Sequence, residues 1–303
     1  MSARLGGKDR AVLHTYRLLG RAIGAVPEPV ALGVAAGVGE LLFGLRHEHR
    51  ETVSRNLRRV LGEGVDEASL RRWARRSFRA YARYWVEGAR LGSTPRTEVL
   101  RQFVVEGFEH LVEGMATGRG VVMALPHVGS WEFGGAWLSA VGYPMTAVAE
   151  RLEPPELFDY FVAQRAAMGL TVIPLGPQAM PEVMQALRTG TLVGLLSDRD
   201  LAGNGVEVEF FGERTTMPGG PAIAALRTGA VLLTAAVYSG PGRDHRAIIN
   251  APIDTVRQGS FRGDVHRITQ QVADEFEAHI RRAPEQWHVF QPLWPDDRTG
   301  EVP

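Results

Sequence analysis

Gly120-Val121-Val122-Met123-Ala124-Leu125-Pro126-His127-Val128-Gly129-Ser130-Trp131-Glu132 is the stretch on which the fold turns. An unbroken apolar run from Val121 to Leu125, with Gly120 before it and Pro126 after it, predicts a buried strand. Gly129 and Ser130 then open a helix that runs to Ala140. The chain therefore passes from strand to helix across His127. A histidine at the carboxyl end of such a strand stands where sites collect in open α/β sheets.

Outward toward the carboxyl end, the same alternation repeats. Strands are predicted over 145–149, 170–173, 191–197 and 230–238. Helices are predicted over 156–168, 181–188, 219–227 and 264–282, with a shorter one over 107–117. This predicts an α/β fold, with a central, largely parallel or mixed sheet flanked by helices. No repeat and no linker breaks the run.

Toward the amino end the pattern is helical. Residues 12–45 predict two helices parted at Pro27 and Pro29, with Tyr16, Leu18, Leu19 and Ile23 on the first. Leu32, Val34, Val38, Leu41, Leu42 and Leu45 lie on the second. Residues 66–90 predict one helix starting at Asp66. It interleaves Arg71, Arg72, Arg75, Arg76, Arg79 and Arg83 with Trp73, Phe78, Tyr81, Tyr84 and Trp85. Such a helix is either a solvated charged face or a surface for anionic headgroups, since Arg and Trp both suit a polar–apolar boundary. The chain divides into a helical, membrane-facing part, 1–100, and an α/β core, 101–303, read as one continuous domain.

Charge follows the same division. The formal net charge of the 303 residues is zero, yet residues 1–100 hold 18 Lys/Arg against 10 Asp/Glu, a balance of +8. The rest holds 16 against 24, a balance of −8. A basic amino-terminal third points to a phosphate-rich partner, a membrane surface or a nucleic acid. The first long apolar stretch, Val30 to Gly39, is bounded by Glu28 and Glu40. It is half the length a bilayer span needs and comes too late for a secretory signal. The expectation is a cytoplasmic protein that lies on a membrane without crossing it.

Cysteine is absent, which excludes disulfides, thiolate metal sites and a cysteine nucleophile. There is no Gly-x-Ser-x-Gly elbow, and no His-Glu-x-x-His or other metal spacing among the nine histidines. What remains for chemistry is His127 with Glu132 in the first turn of the following helix. One ring nitrogen can donate to the carboxylate while the other takes a proton from a hydroxyl. The bland alternative is a capping histidine beside an unrelated glutamate. Asp198-Arg199-Asp200 also follows a buried strand, and an arginine there can clamp a phosphate. Pro218-Gly219-Gly220, leading into a helix, offers backbone N–H groups to a phosphate, or is a plain tight turn.

Taken together, the His127 motif, Asn56-Leu57, Arg165 before Gly169, Asp198-Arg199-Asp200, Phe211-Gly212 and the Pro218 segment running to Val231 carry a resemblance. The sequence resembles the lipid A biosynthesis acyltransferases, which use a His-x4-Asp/Glu motif. Within them it is most similar to an actinobacterial branch that acylates phosphatidylinositol mannosides. That resemblance implies a glycerolipid-acyltransferase-like fold and a long-chain acyl-CoA donor. It also implies a membrane glycolipid acceptor, no cofactor, no metal and no nucleic acid. Palmitoyl transfer to the 6-hydroxyl of the 2-linked mannose is expected, by a monomer held peripherally on an anionic cytoplasmic membrane face. His127 would be the base, Glu132 its partner, and Asp200 a further catalytic acid. Glu150, Arg165, Asp198, Arg199, Pro218, Gly219 and Gly220 would contact substrate. Other acceptors (a lipid A precursor or a lysophospholipid), thioester hydrolysis, and lipid carriage without catalysis are the competing expectations.

Overall fold

The computed structural model describes residues 7–298, without the side chains of residues 7–13, Arg17, Leu19 and Arg298. Leu19, expected on the first helix, thus lies outside the described side chains. The chain opens with α1 (Gly7–Ala25) and α2 (Glu28–Leu45), parted at Pro27 as predicted. α3 (His47–Leu61) follows in a stretch whose charge conceals its apolar face. Val53, Leu57 and Val60 recur at helical spacing and are buried. α4 (Glu67–Leu91) begins at Asp66, whose carboxylate accepts the N–H of Ser69 at 2.8 Å.

The two faces of α2 have different fates. Ala31, Ala35, Gly39 and Phe43, four residues apart, are buried, and α2 packs along α4. Gly39 is required there, because a Cβ would stand 2.7 Å from the backbone of Arg79. The opposite face carries Val30, Val34, Val38, Leu41 and Leu45 into solvent, with Val34 60% and Leu45 69% exposed. Glu40 lies inside this helix instead of ending it, paired with Arg75. Among the described residues α2 is the one helix long and apolar enough to cross a membrane, longer than the stretch from Val30 to Gly39 suggested.

The core then runs α5 (Arg96–Arg101), β1 (Phe103–Glu106), α6 (Phe108–Ala116), β2 (Val121–Leu125), α7 (Trp131–Ala140), β3 (Met145–Ala149), α8 (Pro155–Ala167), β4 (Thr171–Pro174), α9 (Ala179–Arg188) and β5 (Leu192–Leu196). A hairpin of β6 (Val206–Phe210) and β7 (Glu213–Met217) intervenes before α10 (Gly220–Thr228), β8 (Val231–Ser239), β9 (His245–Ile249) and α11 (Phe261–Arg282). The main sheet has the order β1-β9-β8-β2-β5-β3-β4. It is parallel except where β8 meets β9. It is therefore a mixed α/β sheet flanked by helices, behind a helical amino-terminal region.

Alternation along the strands feeds two cores. Val122, Ala124, Val193 and Leu232 pack with Val183 and Leu187 of α9 and with Ile268 and Phe276 of α11. Val121, Met123 and Leu125 face the other way, against Leu111 of α6 and Leu138 of α7. The register sets the site. β2, β5 and β3 are adjacent, and Leu125 lies opposite Leu196. His127, Asp198 and Glu150 thus leave the carboxyl ends of three neighbouring strands.

Candidate active site

Turning from β2 into α7 requires Gly129. Its φ is 56°, and a Cβ there would fall 2.0 Å from the carbonyl oxygen of Val237. The N–H groups of Gly129 and Ser130 are held by the carbonyls of Gln286 (2.9 Å) and Val237 (3.1 Å). The carbonyl of His127 accepts the N–H of His288 at 2.7 Å. The loop bearing His127 is therefore fixed on both sides by backbone bonds, and its ring sits 17% exposed at a surface.

The partner of that ring is Asp198, not Glu132. The Nδ1 of His127 meets Oδ1 of Asp198 in a short contact. Oδ2 of the same carboxylate accepts the backbone N–H of His127 and the indole Nε1–H of Trp287, each at 2.9 Å. Asp198 is 1% exposed. Burial acts to raise its pKa, but the His127 ring and the donated hydrogen bonds overcome it and hold the carboxyl below its ordinary value. An ionised Asp198 at Nδ1 leaves Nε2 as the nitrogen that can accept.

Glu132 is buried in the first turn of α7, 8% exposed, and its Oε1 takes the Arg165 guanidinium at 2.9 Å from Nε and 2.7 Å from Nη2. The expected His127–Glu132 hydrogen bond is thus replaced by two parallel pairs, His127–Asp198 and Glu132–Arg165. Glu132 faces α4 instead, where a Cβ on Gly88 would stand 3.0 Å from its Oε2, and Arg165 reaches it from α8 while packing over the rings of Trp131 and Phe161.

Arg199 does join the histidine. Its Nη2 lies 3.0 Å from Nε2 of His127 and 2.8 Å from Oε1 of Glu150, and its Nη1 donates to Oε1 of Gln291 at 2.8 Å. Asp200 turns away. Its Oδ2 accepts the hydroxyl of Thr216 and the N–H of Gly205, both at 2.8 Å, tying the loop after β5 to β7. Burial works against ionisation there, but these hydrogen bonds prevail and lower its pKa. Gly219 is buried, and a Cβ there would stand 2.8 Å from Val206 and 3.3 Å from Val265, so the Pro218-Gly219-Gly220 segment packs closely on its neighbours. Pro218 borders a small internal gap shared with Ser197 and Met217. No cluster suited to a metal occurs among the described residues.

Trp287, His288 and Gln291 have no signal near the motif, since they lie some 160 residues downstream of it. His288 sits against Tyr81 and Tyr84, with ring centroids 5.6 and 5.2 Å away. Burial, and then the neighbouring His127, push its pKa down to about 3. Beneath α7 the apolar core leaves a small gap of about 20 Å³, lined by Leu125, Trp131, Gly134, Leu138, Met145 and Val237, among others.

Comparison with known proteins gives this arrangement a context. The family model described as bacterial lipid A biosynthesis acyltransferase matches residues 8–296. The phosphatidylinositol mannoside acyltransferase of Mycolicibacterium smegmatis is 39% identical over 288 residues, covering 93% of this chain and 90% of that protein. The protein of the same name from Mycobacterium tuberculosis H37Rv is 39% identical over 282 residues, covering 90% and 85%. Among solved structures, the 1-acyl-sn-glycerophosphate (LPA) acyltransferase PlsC from Thermotoga maritima overlaps loosely. Its TM-score is 0.36 at 15% identity, over 82% of this chain and 96% of that one.

Proposed function

The chain belongs to the bacterial lipid A biosynthesis acyltransferase family and is an acyltransferase, and we propose that it moves a palmitoyl group from acyl-CoA to the 6-hydroxyl of the 2-linked mannose of a phosphatidylinositol mannoside. Support for the acceptor comes from relatives named phosphatidylinositol mannoside acyltransferase. Support for the chemistry comes from one observation: His127 has Nδ1 against a buried, ionised Asp198 and Nε2 turned toward Arg199, which Glu150 also holds.

In this reading Nε2 takes the proton of the acceptor hydroxyl as its oxygen attacks the thioester carbonyl. Asp198 stabilises the imidazolium. The carbon–sulfur bond then breaks, and the imidazolium returns the proton to the CoA thiolate. One ester forms, one thioester is lost, and no covalent enzyme intermediate is needed. Arg165 with Glu132 ties α8 to the first turn of α7, and Glu150 reaches sugar hydroxyls.

We further read the protein as peripheral on the cytoplasmic membrane face, as a monomer. The exposed apolar face of α2 lies beside Arg75 and Arg79 of α4, a combination suited to shallow insertion among anionic headgroups. The test is transfer of labelled palmitate from palmitoyl-CoA to phosphatidylinositol mannosides, lysophosphatidate and a lipid A precursor. His127→Ala is expected to fold and to lose roughly 10²–10⁴-fold in rate. Transfer only to lysophosphatidate, or release of free palmitate with no acylated lipid, overturns the acceptor or the reaction respectively.

A further inference from the structure

A guanidinium carries only donors. With Nη2 of Arg199 3.0 Å from Nε2 of His127, the ring nitrogen must be the acceptor and Nδ1 must hold its hydrogen toward Asp198. That is the tautomer a general base needs. Yet an imidazole nitrogen has one in-plane lone pair, and here Arg199 uses it. An acceptor hydroxyl has to hydrogen-bond to the same lone pair before it can be deprotonated. As it stands in the free protein, the base is occupied by a cation.

The tethers of Arg199 are of a kind that can be exchanged. Glu150 is 47% exposed, so its pairing with the guanidinium is weakened by water. Gln291 is neutral. The nearest acids along the chain are engaged elsewhere: Asp198 by His127 and Trp287, Asp200 by Thr216 and Gly205. Meanwhile Nε of Arg199 is buried with no hydrogen-bond partner. A buried donor without an acceptor is unfavourable. One edge of the guanidinium fork thus lacks the acceptor that a bidentate phosphate would supply.

Building on the reading of His127 as the base, we propose that Arg199 is a phosphate-responsive cap on it, drawn off Nε2 when a substrate phosphate fills its fork and so admitting the acceptor hydroxyl. Two substrate phosphates offer that chemistry, those of coenzyme A and the phosphodiester of the lipid acceptor. A site built this way keeps the base occupied until a phosphate-bearing substrate is in place, which suppresses stray deprotonation of water beside a thioester.

The groups that face His127 are few. Asp198 favours its charged form, and Arg199 opposes it. Glu150 acts through Arg199, and His288, titrating near pH 3, stays neutral across the window of interest. The experiment is NMR of the full-length protein carrying labelled histidine, with the His127 signal assigned from a His127→Gln sample. It is titrated free, with coenzyme A, and with sn-glycero-3-phosphoinositol. In Arg199→Gln the midpoint of His127 is expected about one unit or more above that of the wild type. In the wild type one ligand, or both, moves the midpoint up toward the variant's value. The same ligand moves the variant less, and the arm that responds identifies the phosphate. Equal midpoints in wild type and variant, or equal ligand shifts in both, overturn the cap. Arg199→Met serves in the same way should the glutamine variant not fold. Transfer assays separate this from the wider reading. Unchanged titrations in an active glycolipid acyltransferase defeat the cap alone. The expected titrations in a protein that acylates no glycolipid defeat the acceptor assignment alone.

Discussion

At the scale of single residues, the choice between Asp198 and Glu132 as the histidine's partner has a direct experimental form. Asp198→Asn leaves a similar shape but withdraws the charge that steadies an imidazolium. The expected loss is about 10²-fold or more in the rate of acyl transfer, with binding of acyl-CoA kept. Glu132→Gln acts differently, because it strands the Arg165 guanidinium without its counter-charge. A melting experiment should show destabilisation of about 1–3 kcal/mol, and the catalytic loss should be the smaller of the two. A larger rate loss in Glu132→Gln than in Asp198→Asn would return Glu132 to the catalytic role. Gly129→Ala is expected to be worse for folding than either. It places a Cβ into the Val237 carbonyl and forces positive φ on alanine, so expression of folded protein should fall sharply. The sequence made His127 legible through its setting, a buried strand broken by Pro126 and restarted as a helix. It did not make Asp198 legible as the partner, because spacing along a chain reports only local neighbours. The sequence separation of 71 is closed by the pairing of β2 with β5.

Among the elements, α2 and α4 form the surface with the most distinctive composition. Substituting Val34, Leu41 and Leu45 by serine removes apolar area without touching the buried Ala31–Phe43 seam. Cosedimentation with anionic vesicles is expected to fall by at least about tenfold while the melting temperature stays nearly constant. Binding by the unaltered protein should weaken as salt rises. Failure of the unaltered protein to bind anionic vesicles at low salt would remove the peripheral assignment. Helix periodicity made α1, α2 and α4 readable in advance, and Asp66 marked the start of α4. Not all of the arginines read alike, however. Arg83 turns inward to Glu87 and donates to the carbonyls of Gly240 and Gly242, both at 2.8 Å, so it joins α4 to the β8–β9 turn. The β6–β7 hairpin, β9 and α3 escaped the sequence reading for physical reasons. β6 alternates glutamate with apolar residues over only five positions, and β7 opens on two charged residues and two threonines. β9 carries His245 and Arg246 in a five-residue strand. α3 hides its apolar stripe among arginines.

For the molecule as a whole, two buried histidines set an acid limit. Burial lowers His279 to about 4 and His288 to about 3. In the unfolded chain each titrates near its ordinary 6.5, so below that pH the unfolded state binds the more protons. Folded stability should therefore fall as pH drops from about 6.5 toward 4, levelling only when the folded histidines also protonate. Asp198 adds a further loss below its unfolded value, because its folded pKa is depressed. Thermal melts across this range check the slope, and His288→Phe, which keeps a ring beside Tyr81 and Tyr84, should make it shallower. The amino-terminal helices and the core should melt together. Asn56 of α3 donates to the carbonyls of Val289 (3.2 Å) and Gln291 (3.3 Å), and Ser239 donates to Glu87 of α4 at 3.0 Å.

The indole of Trp287 against Asp198 carries a consequence for biosynthesis. During translation, His127 and Asp198 leave the ribosome long before residue 287. Until that tryptophan arrives, the carboxylate lacks one of its three donors, and the loop at Gly129 lacks the carbonyl of Gln286. Contacts of such long sequence separation also form late and slowly. On the proposed chemistry, the nascent polypeptide is expected to be inert as a transferase until residues 284–298 emerge and dock against α3, α4 and the sheet. A ribosome-tethered chain stalled with residue 283 at the tunnel mouth should show no transfer, and one extended until residue 298 has cleared it should be competent.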